Sequence, residues 1–381
     1  MLKTFVYISS WNNFGGEPGI GVYELEPSTG ELRFCRMMNQ EDSCNASFVS
    51  QEKRILYVCN EVANIQNINS GAILTYQILD DGSLKEMDRT LTFCPNPTFI
   101  AMDKTGQKIL VSNHSGFGAV SKIRKDAFGK YYMQTVQDDA VVNLFEVNED
   151  GRIGELLDVA KHTGSGIRPQ QKHARPHCVV KSPIDDLFAV CDKGNDSIYM
   201  YKLAEDKLVL CDVPYKDIPG SMPRYCVFHP KKRILFVNYE GNTALSSFKY
   251  DEQGKITLLF TAEGIACADH SERDISHDEQ QGLAIHPNGK YIYDMINGPE
   301  VIAVFEVDEE TGKMILIQNQ KVSRGKWLRG GTVSPDGRYL ITTCMKSGDI
   351  EVFRIQEDGM LETTGRLVNQ SAAAYVTYVK L

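Results

Sequence analysis

Two Arg, two His and two Glu of this chain occupy corresponding places in a repeated pattern, and its chemistry starts there. Six stretches begin at Ser47, Thr98, His177, Arg224, Gln281 and Arg329, and a second apolar run in each ends at Glu61, His114, Lys193, Glu240, Asn297 and Met345. A repeat that only built a scaffold would place similar residues at equivalent positions. Here the positions differ, and most are polar or charged. His and Glu can move protons, and Arg offers paired donors to a carboxylate, a phosphate or a developing oxyanion. The stretch HTGSGIRPQQKHARPH from His162 to His177 adds Arg168, Lys172, His173 and Arg175. It reads either as an anion-binding rim or as a polar loop whose charges face solvent. Asp269–Arg273 with His277, Asp278 and Glu279 holds metal-ligand residue types without a fixed ligand spacing, so it reads as a polar loop, and neither metal nor cofactor is expected. No GxGxxG follows a strand, and there is no P-loop and no GxSxG elbow.

The elements that must position these residues are strands. SFVSQEKRILYVCNE, TFIAMDKTGQKILVSNH, HCVVKSPIDDLFAVCDK, RYCVFHPKKRILFVNYE, QGLAIHPNGKYIYDMIN and RGGTVSPDGRYLITTCM share one plan. An apolar run, a polar turn and a second apolar run are followed by a third run ending in Phe or Tyr, such as AILTYQI or VIAVFEV. The alternation is period two and rich in β-branched and aromatic residues. A period near 50 residues with about four strands per unit predicts an all-β propeller of four-stranded blades. Six copies are complete. TFVYISS and GIGVYELEP at the N-terminus and AAAYVTYV at the C-terminus would make a seventh blade from both chain ends, closing one domain over 1–381. The long interval between Thr98 and His177 carries an insertion at about 115–140, read as a solvated hairpin, a lid or an oligomer contact. In such a blade the start of the first strand and the end of the second emerge on one face, so both sets of residues converge on one mouth of the central channel. The turns, including His229-Pro230 and His286-Pro287, fall on the other face.

Composition narrows the partners. The 381 residues include 41 basic and 50 acidic side chains, a net charge of −9, which argues against nucleic acid or an anionic membrane as partner. MLKTFVYISSWNN is too short in apolar residues for a signal peptide, no run approaches a membrane span, and the ten Cys form no CxxC pair. A cytoplasmic chain with buried thiols is expected.

Taken in order, YISS with GIGVYELEPSTGEL, NASF with LYVCNE at 45–61, RPH at 175–177, MPRYCVFHP, FVNYE and GKWLRGGTVSPDGRYL at 325–340 resemble the seven-bladed propeller lactonase family. That family includes bacterial 6-phosphogluconolactonases and fungal-type carboxy-muconate cyclases, and the resemblance spans essentially the whole chain. It implies metal-independent hydrolysis of a sugar-acid lactone, 6-phosphogluconolactone or a relative, with His177, Arg224 and Glu240 as catalytic residues. Glu61, His114, Arg168, His173, Arg175 and Arg329 are the substrate-binding candidates, and a small anionic lactone or carboxylate is the expected partner. The rim departs from the family pattern at Gln170-Gln171, Arg175-Pro176-His177, Pro223-Arg224-Tyr225, Asn297-Gly298 and Cys344-Met345, and Arg175 or Arg273 would replace a missing cation. A lactone-forming muconate cyclase would want the same charges. A non-catalytic binding propeller is the alternative from another class, although neither Trp stands in the Trp-Asp pair of repeat scaffolds: Trp11 precedes Asn12 and Trp327 precedes Leu328.

Overall fold

A computed structural model describes residues 3–12, 15–265 and 278–381. Among them the regular elements are all strands, in seven antiparallel sheets, six of four strands and one of five, and one separate hairpin. Blade I comprises Cys44–Ser50, Ile55–Asn60, Ala72–Ile78 and Leu84–Leu91; blade II comprises Pro97–Met102, Lys108–Asn113, Ala140–Val147 and Ile153–His162. Blade III runs from Pro176–Lys181 through Leu187–Asp192 and Ser197–Ala204 to Lys207–Leu210, with Tyr215–Lys216 added beside its third strand. Blades IV, V and VI begin with Pro223–Phe228, Glu279–Ile285 and Leu328–Val333 and repeat the same order. Blade VII is shared: Ala373–Lys380 is its innermost strand, and Thr4–Ser10, Gly19–Glu26 and Glu31–Met38 continue outward. The expected closure by both chain ends is therefore present. Innermost strands touch in sequence around the ring, the C-terminal one lying between those of blades VI and I.

Burial explains the pattern of the runs. Second strands such as Ile55–Asn60 and Leu187–Asp192 are buried throughout, because neighbouring blades cover both faces, so they read as unbroken apolar segments. Outer strands such as Leu84–Leu91 are exposed or half-buried along most of their length, so they lack an unbroken apolar run. The acidic-glycine turns do more than reverse the chain. Tyr57 donates to Gly151 O at 2.7 Å, Tyr7 to Gly82 O at 3.0 Å and Tyr293 to Gly359 O at 3.1 Å, each bond riveting one blade to the outer turn of the next. Gly151 has φ +86° and a Cβ there would sit 1.8 Å from Ile55 Cδ1, so both the turn and the close approach require glycine. On the same side of the ring, His229 Nδ1 accepts from the Lys231 and Lys232 amides and His286 Nδ1 from the Asn288 amide, which are turn-capping roles.

Between Asn113 and Ala140 the chain leaves the ring as a hairpin, Ala119–Lys125 with Tyr131–Gln137, paired only with each other and mostly exposed. Its base reaches the mouth, where the Phe117 ring lies 4.4 Å from the Arg175 guanidinium.

Candidate active site

Each inner strand breaks register at its first residues. Pro97 pairs with Asn113 but Phe99 with Ser112, so Thr98 is extra; Pro176 pairs with Asp192 but Cys178 with Cys191, so His177 is extra. The same one-residue bulge singles out Gln281 in blade V, Arg329 in blade VI and Ala374 in blade VII, and in blade IV it falls on the pair Arg224-Tyr225. A bulge turns a side chain out of the pleat, and here the ring repeats it to aim one residue per blade into the mouth. In blade I the bulged pair is Asn45-Ala46, so Asn45 is the counterpart of His177 and Arg224. Ser47, expected in that place, lies two residues deeper and bonds Thr377 Oγ1 at 2.5 Å.

A second tier follows the end of each second strand. The amides of Glu61, His114, Lys193, Glu240 and Met345 donate to Ser43, Asn96, Arg175, Met222 and Trp327 carbonyls at 2.9–3.1 Å, and the Trp11 amide donates to Ala372 O at 3.0 Å. Trp11 is thus the blade VII member of this tier. In blade V the equivalent position is Asn297, which follows Ile296, the partner of Gln280, and pairs with Glu279.

These tiers build a charged cluster. Lys193 Nζ lies 2.9 and 2.6 Å from the two Glu240 oxygens, and Arg224 Nε donates to Glu240 Oε2 at 2.9 Å. Arg224 also donates through Nη1 to Gln281 O, which fixes its guanidinium plane. Arg329 Nη1 donates to Gln281 Oε1 at 2.6 Å, and Gln281 Nε2 donates to Glu279 Oε2 at 2.8 Å. Asn45 donates to Glu61. The His177 ring stands 4.8 Å from that of His114 and 5.1 Å from that of Tyr225, with its main-chain carbonyl held by Thr98 Oγ1 at 2.7 Å and Ser112 Oγ at 3.0 Å. Below, Phe99 packs edge-on to Tyr225 at 5.5 Å and to Tyr375 at 5.8 Å, an aromatic floor beneath the polar mouth.

Burial and charge divide the proton chemistry. Burial alone would raise the Glu240 carboxyl, but Lys193 and Arg224 outweigh it and hold it at about 2. Burial keeps both His neutral, pushed further down by Arg224 beside His177 and by Lys193 beside His114. Burial raises Glu61, opposed by Arg329, and it raises Glu279, reinforced by Glu240. Four cations, Arg175, Lys193, Arg224 and Arg329, therefore meet three carboxyls, two of them biased toward protonation. His177 Nδ1, His114 Nε2 and Arg175 Nη1 are buried and have no hydrogen-bond partner among the described residues.

Arg168 and His173 are used differently. Arg168 donates to Gly220 O and Gly241 O, both at 2.6 Å, and straps the loop to blade IV. The His173 ring lies between Ala174 O at 2.8 Å and Gly116 O at 3.2 Å. Arg175 is anchored through its amide on Asp192 Oδ1 at 2.6 Å, and its guanidinium is buried against Phe117. Lys193, Asn45 and Glu279 enter the cluster without having been marked as site residues. Lys193 could have been, since it stands between His114 and Glu240 in the strand-end series. Residues 269–273 and 277, which include Arg273, lie outside the described residues; among the described ones no group of three His, Cys, Asp or Glu is arranged to hold a metal ion.

Comparison with known proteins fits this architecture. Residues 5–378 match the family described as "Lactonase, 7-bladed beta-propeller". The 6-phosphogluconolactonase of Bacillus subtilis is 25% identical over 99% of this chain and 97% of its own. A probable 6-phosphogluconolactonase of Arthroderma benhamiae is 24% identical over 89% of this chain and 80% of its own. Among solved structures, the periplasmic gluconolactonase of Pseudomonas aeruginosa superposes with a TM-score of 0.85 at 20% identity, covering 100% of this chain and 99% of the other.

Proposed function

The chain belongs to the seven-bladed β-propeller lactonase family, and we propose that it hydrolyses a sugar-acid lactone, 6-phosphogluconolactone or a relative, using only its own His, Arg and Lys side chains. The observation that carries this reading is the division of labour between His177 and Glu240. A carboxylate held at about 2 by two cations is too weak an acceptor to activate water at neutral pH. Glu240 instead fixes Arg224 and Lys193. Neutral His177, its Nδ1 unpartnered, takes the proton of the attacking water. The water oxygen bonds to the lactone carbonyl carbon, and the tetrahedral oxyanion forms beside Arg224, which is pre-oriented and desolvated. Collapse breaks the acyl–oxygen bond, and His177 returns the proton to the leaving ring oxygen. The product carboxylate, and a phosphate on the substrate, are attracted by the cation excess formed with Lys193, Arg329 and Arg175.

The printed names of the Bacillus subtilis and Arthroderma benhamiae relatives support the phosphorylated lactone as substrate, and with it a place in the pentose phosphate pathway. A cytoplasmic setting belongs to the same reading, supported by nine free cysteines among the described residues. Acid release from 6-phosphogluconolactone and from gluconolactone, measured with EDTA present, tests the proposal. Wild type should turn over the phosphorylated lactone, and Arg224→Ala should lose about 10²–10³-fold. Rates equal to spontaneous hydrolysis on both lactones would overturn it.

A further inference from the structure

The repeat allows the mouth to be compared sector by sector. In blades I to IV the strand-end tier is Glu61, His114, Lys193 and Glu240; in blades VI and VII it is Met345 and Trp11. The residues whose carbonyls they meet there are Trp327 and Ala372, and the bulged residue of blade VII is Ala374. These five uncharged side chains pack together as one cluster. The strand-end tier is thus bipartite, ionisable over blades I to IV and uncharged over blades VI and VII, where Arg329 of the bulged tier is the charged member.

A cavity of about 520 Å³ opens against the apolar sector, a size that takes a small-molecule ligand. Both tryptophans of the chain line it. Trp327 occupies a left-handed position, φ +63°, that the fold also imposes on Asn96, Met222 and Ala372. Its amide and that of Leu328 are pinned by the two Glu300 oxygens at 2.8 and 2.7 Å, so the indole projects from a fixed backbone. Ser347, Asn369, Ser371 and Lys346 contribute to the walls. Indoles among hydroxyl, amide and ammonium groups suit an occupant with C–H faces and hydroxyl edges, which is a sugar ring. One residue links the Trp11 wall of the cavity to the catalytic cluster: Arg329 lies over the Trp11 ring, 4.6 Å from its centroid, while its Nη1 holds Gln281.

We propose that the blade VI–VII sector is a sugar-ring subsite, through which the enzyme also takes lactones that carry a second, uncharged sugar ring packed on Trp327 and Trp11. The added substrate class is a disaccharide aldonolactone. The chemistry rests on the lactone-hydrolase reading; the binding does not.

Because the chain has only these two tryptophans, emission excited at wavelengths that spare the tyrosines comes from the Trp11 and Trp327 pair. Wild type is titrated with lactobionate, the open disaccharide acid, and with gluconate. Lactobionate should change the emission and bind at least about tenfold more tightly than gluconate, as expected for a stacked ring. In a kinetic arm, Trp327→Ala and Trp327→Phe are compared on lactobionolactone and gluconolactone. The ratio of kcat/KM for the two-ring over the one-ring lactone should fall about tenfold in Trp327→Ala and be largely retained in Trp327→Phe. Equal affinity for the two acids, no emission change with lactobionate, or an unchanged ratio would overturn the subsite. An emission change with lactobionate but turnover of neither lactone nor of 6-phosphogluconolactone would support the subsite and reject the lactonase reading.

Discussion

Glu240 has two cations within hydrogen-bond reach, whereas His177 keeps a buried ring nitrogen with none. Removing one cation tests the first half. In Lys193→Met the Glu240 carboxyl should titrate upward from about 2, read by carbon NMR of the carboxyl; an unmoved value would contradict the assignment. The sign carries over to stability. A carboxyl depressed from 4.5 to about 2 contributes stability present above the unfolded value and lost as pH falls through the folded one. The variant should therefore lose less on acidification through that window. His177, Arg224 and Glu240 were readable in the sequence because Pro176, Pro223 and the strand ends mark their register. Asn45 was not, because Cys44 stands where other copies have Pro97, Pro176 or Pro223, and without that marker the apolar pattern draws the eye to Ser47. The carbonyl bonds of Arg168 and the clamped ring of His173 depend on where Gly220, Gly241 and Gly116 fall in space, which spacing along the chain does not encode.

At the level of the element, every bulge frees a main-chain amide that must find a partner. In blade IV the Tyr225 amide donates to Asn238 Oδ1 at 2.9 Å; Asn238 Nδ2 in turn donates to Asp294 Oδ1 at 2.9 Å, and Gln280 donates to the other Asp294 oxygen. Burial raises Asp294 to about 8 against these two bonds. For a carboxyl raised on folding, stability is complete below the unfolded value and is lost as pH rises through the folded one. Urea unfolding between about pH 4 and about pH 8 should show wild type losing stability relative to Asp294→Asn as pH rises; parallel curves would contradict the assignment. The strands and turns behind this network were legible from period-two alternation and acidic-glycine turns. The bulges were not, since a single extra residue leaves no mark in an apolar run.

For the whole molecule, the ring is closed by pairing Thr4–Ser10 with Ala373–Lys380, so both chain ends belong to one sheet. The inner strand also fills the ring: a Cβ at Gly330 would stand 2.4 Å from Ala374 O. Deleting residues from Ala373 onward should abolish cooperative thermal unfolding, followed by circular dichroism, because three strands of blade VII lose their inner partner and blades VI and I face a gap. A truncated chain that melts cooperatively at the wild-type temperature would contradict closure by this strand. The same closure reconciles a net charge of −9 with a cation-rich mouth. Acidic residues of the turns lie on the outer and opposite surfaces, while the bulged tier contributes Arg224 and Arg329 and the strand ends contribute Lys193.

The central claim is that His177 is the base and Glu240 the holder, and the most direct test is the pH dependence of kcat/KM for 6-phosphogluconolactone in wild type, His177→Ala and Glu240→Gln. Wild type should be flat through neutrality and fall only below the ordinary histidine range, because His177 must be neutral to accept a proton. His177→Ala should lose at least about a hundredfold together with that acidic limb, whereas Glu240→Gln should retain the limb while weakening substrate binding. A His177→Ala enzyme with the wild-type rate and limb, or a Glu240→Gln enzyme from which the limb has gone, would contradict the account.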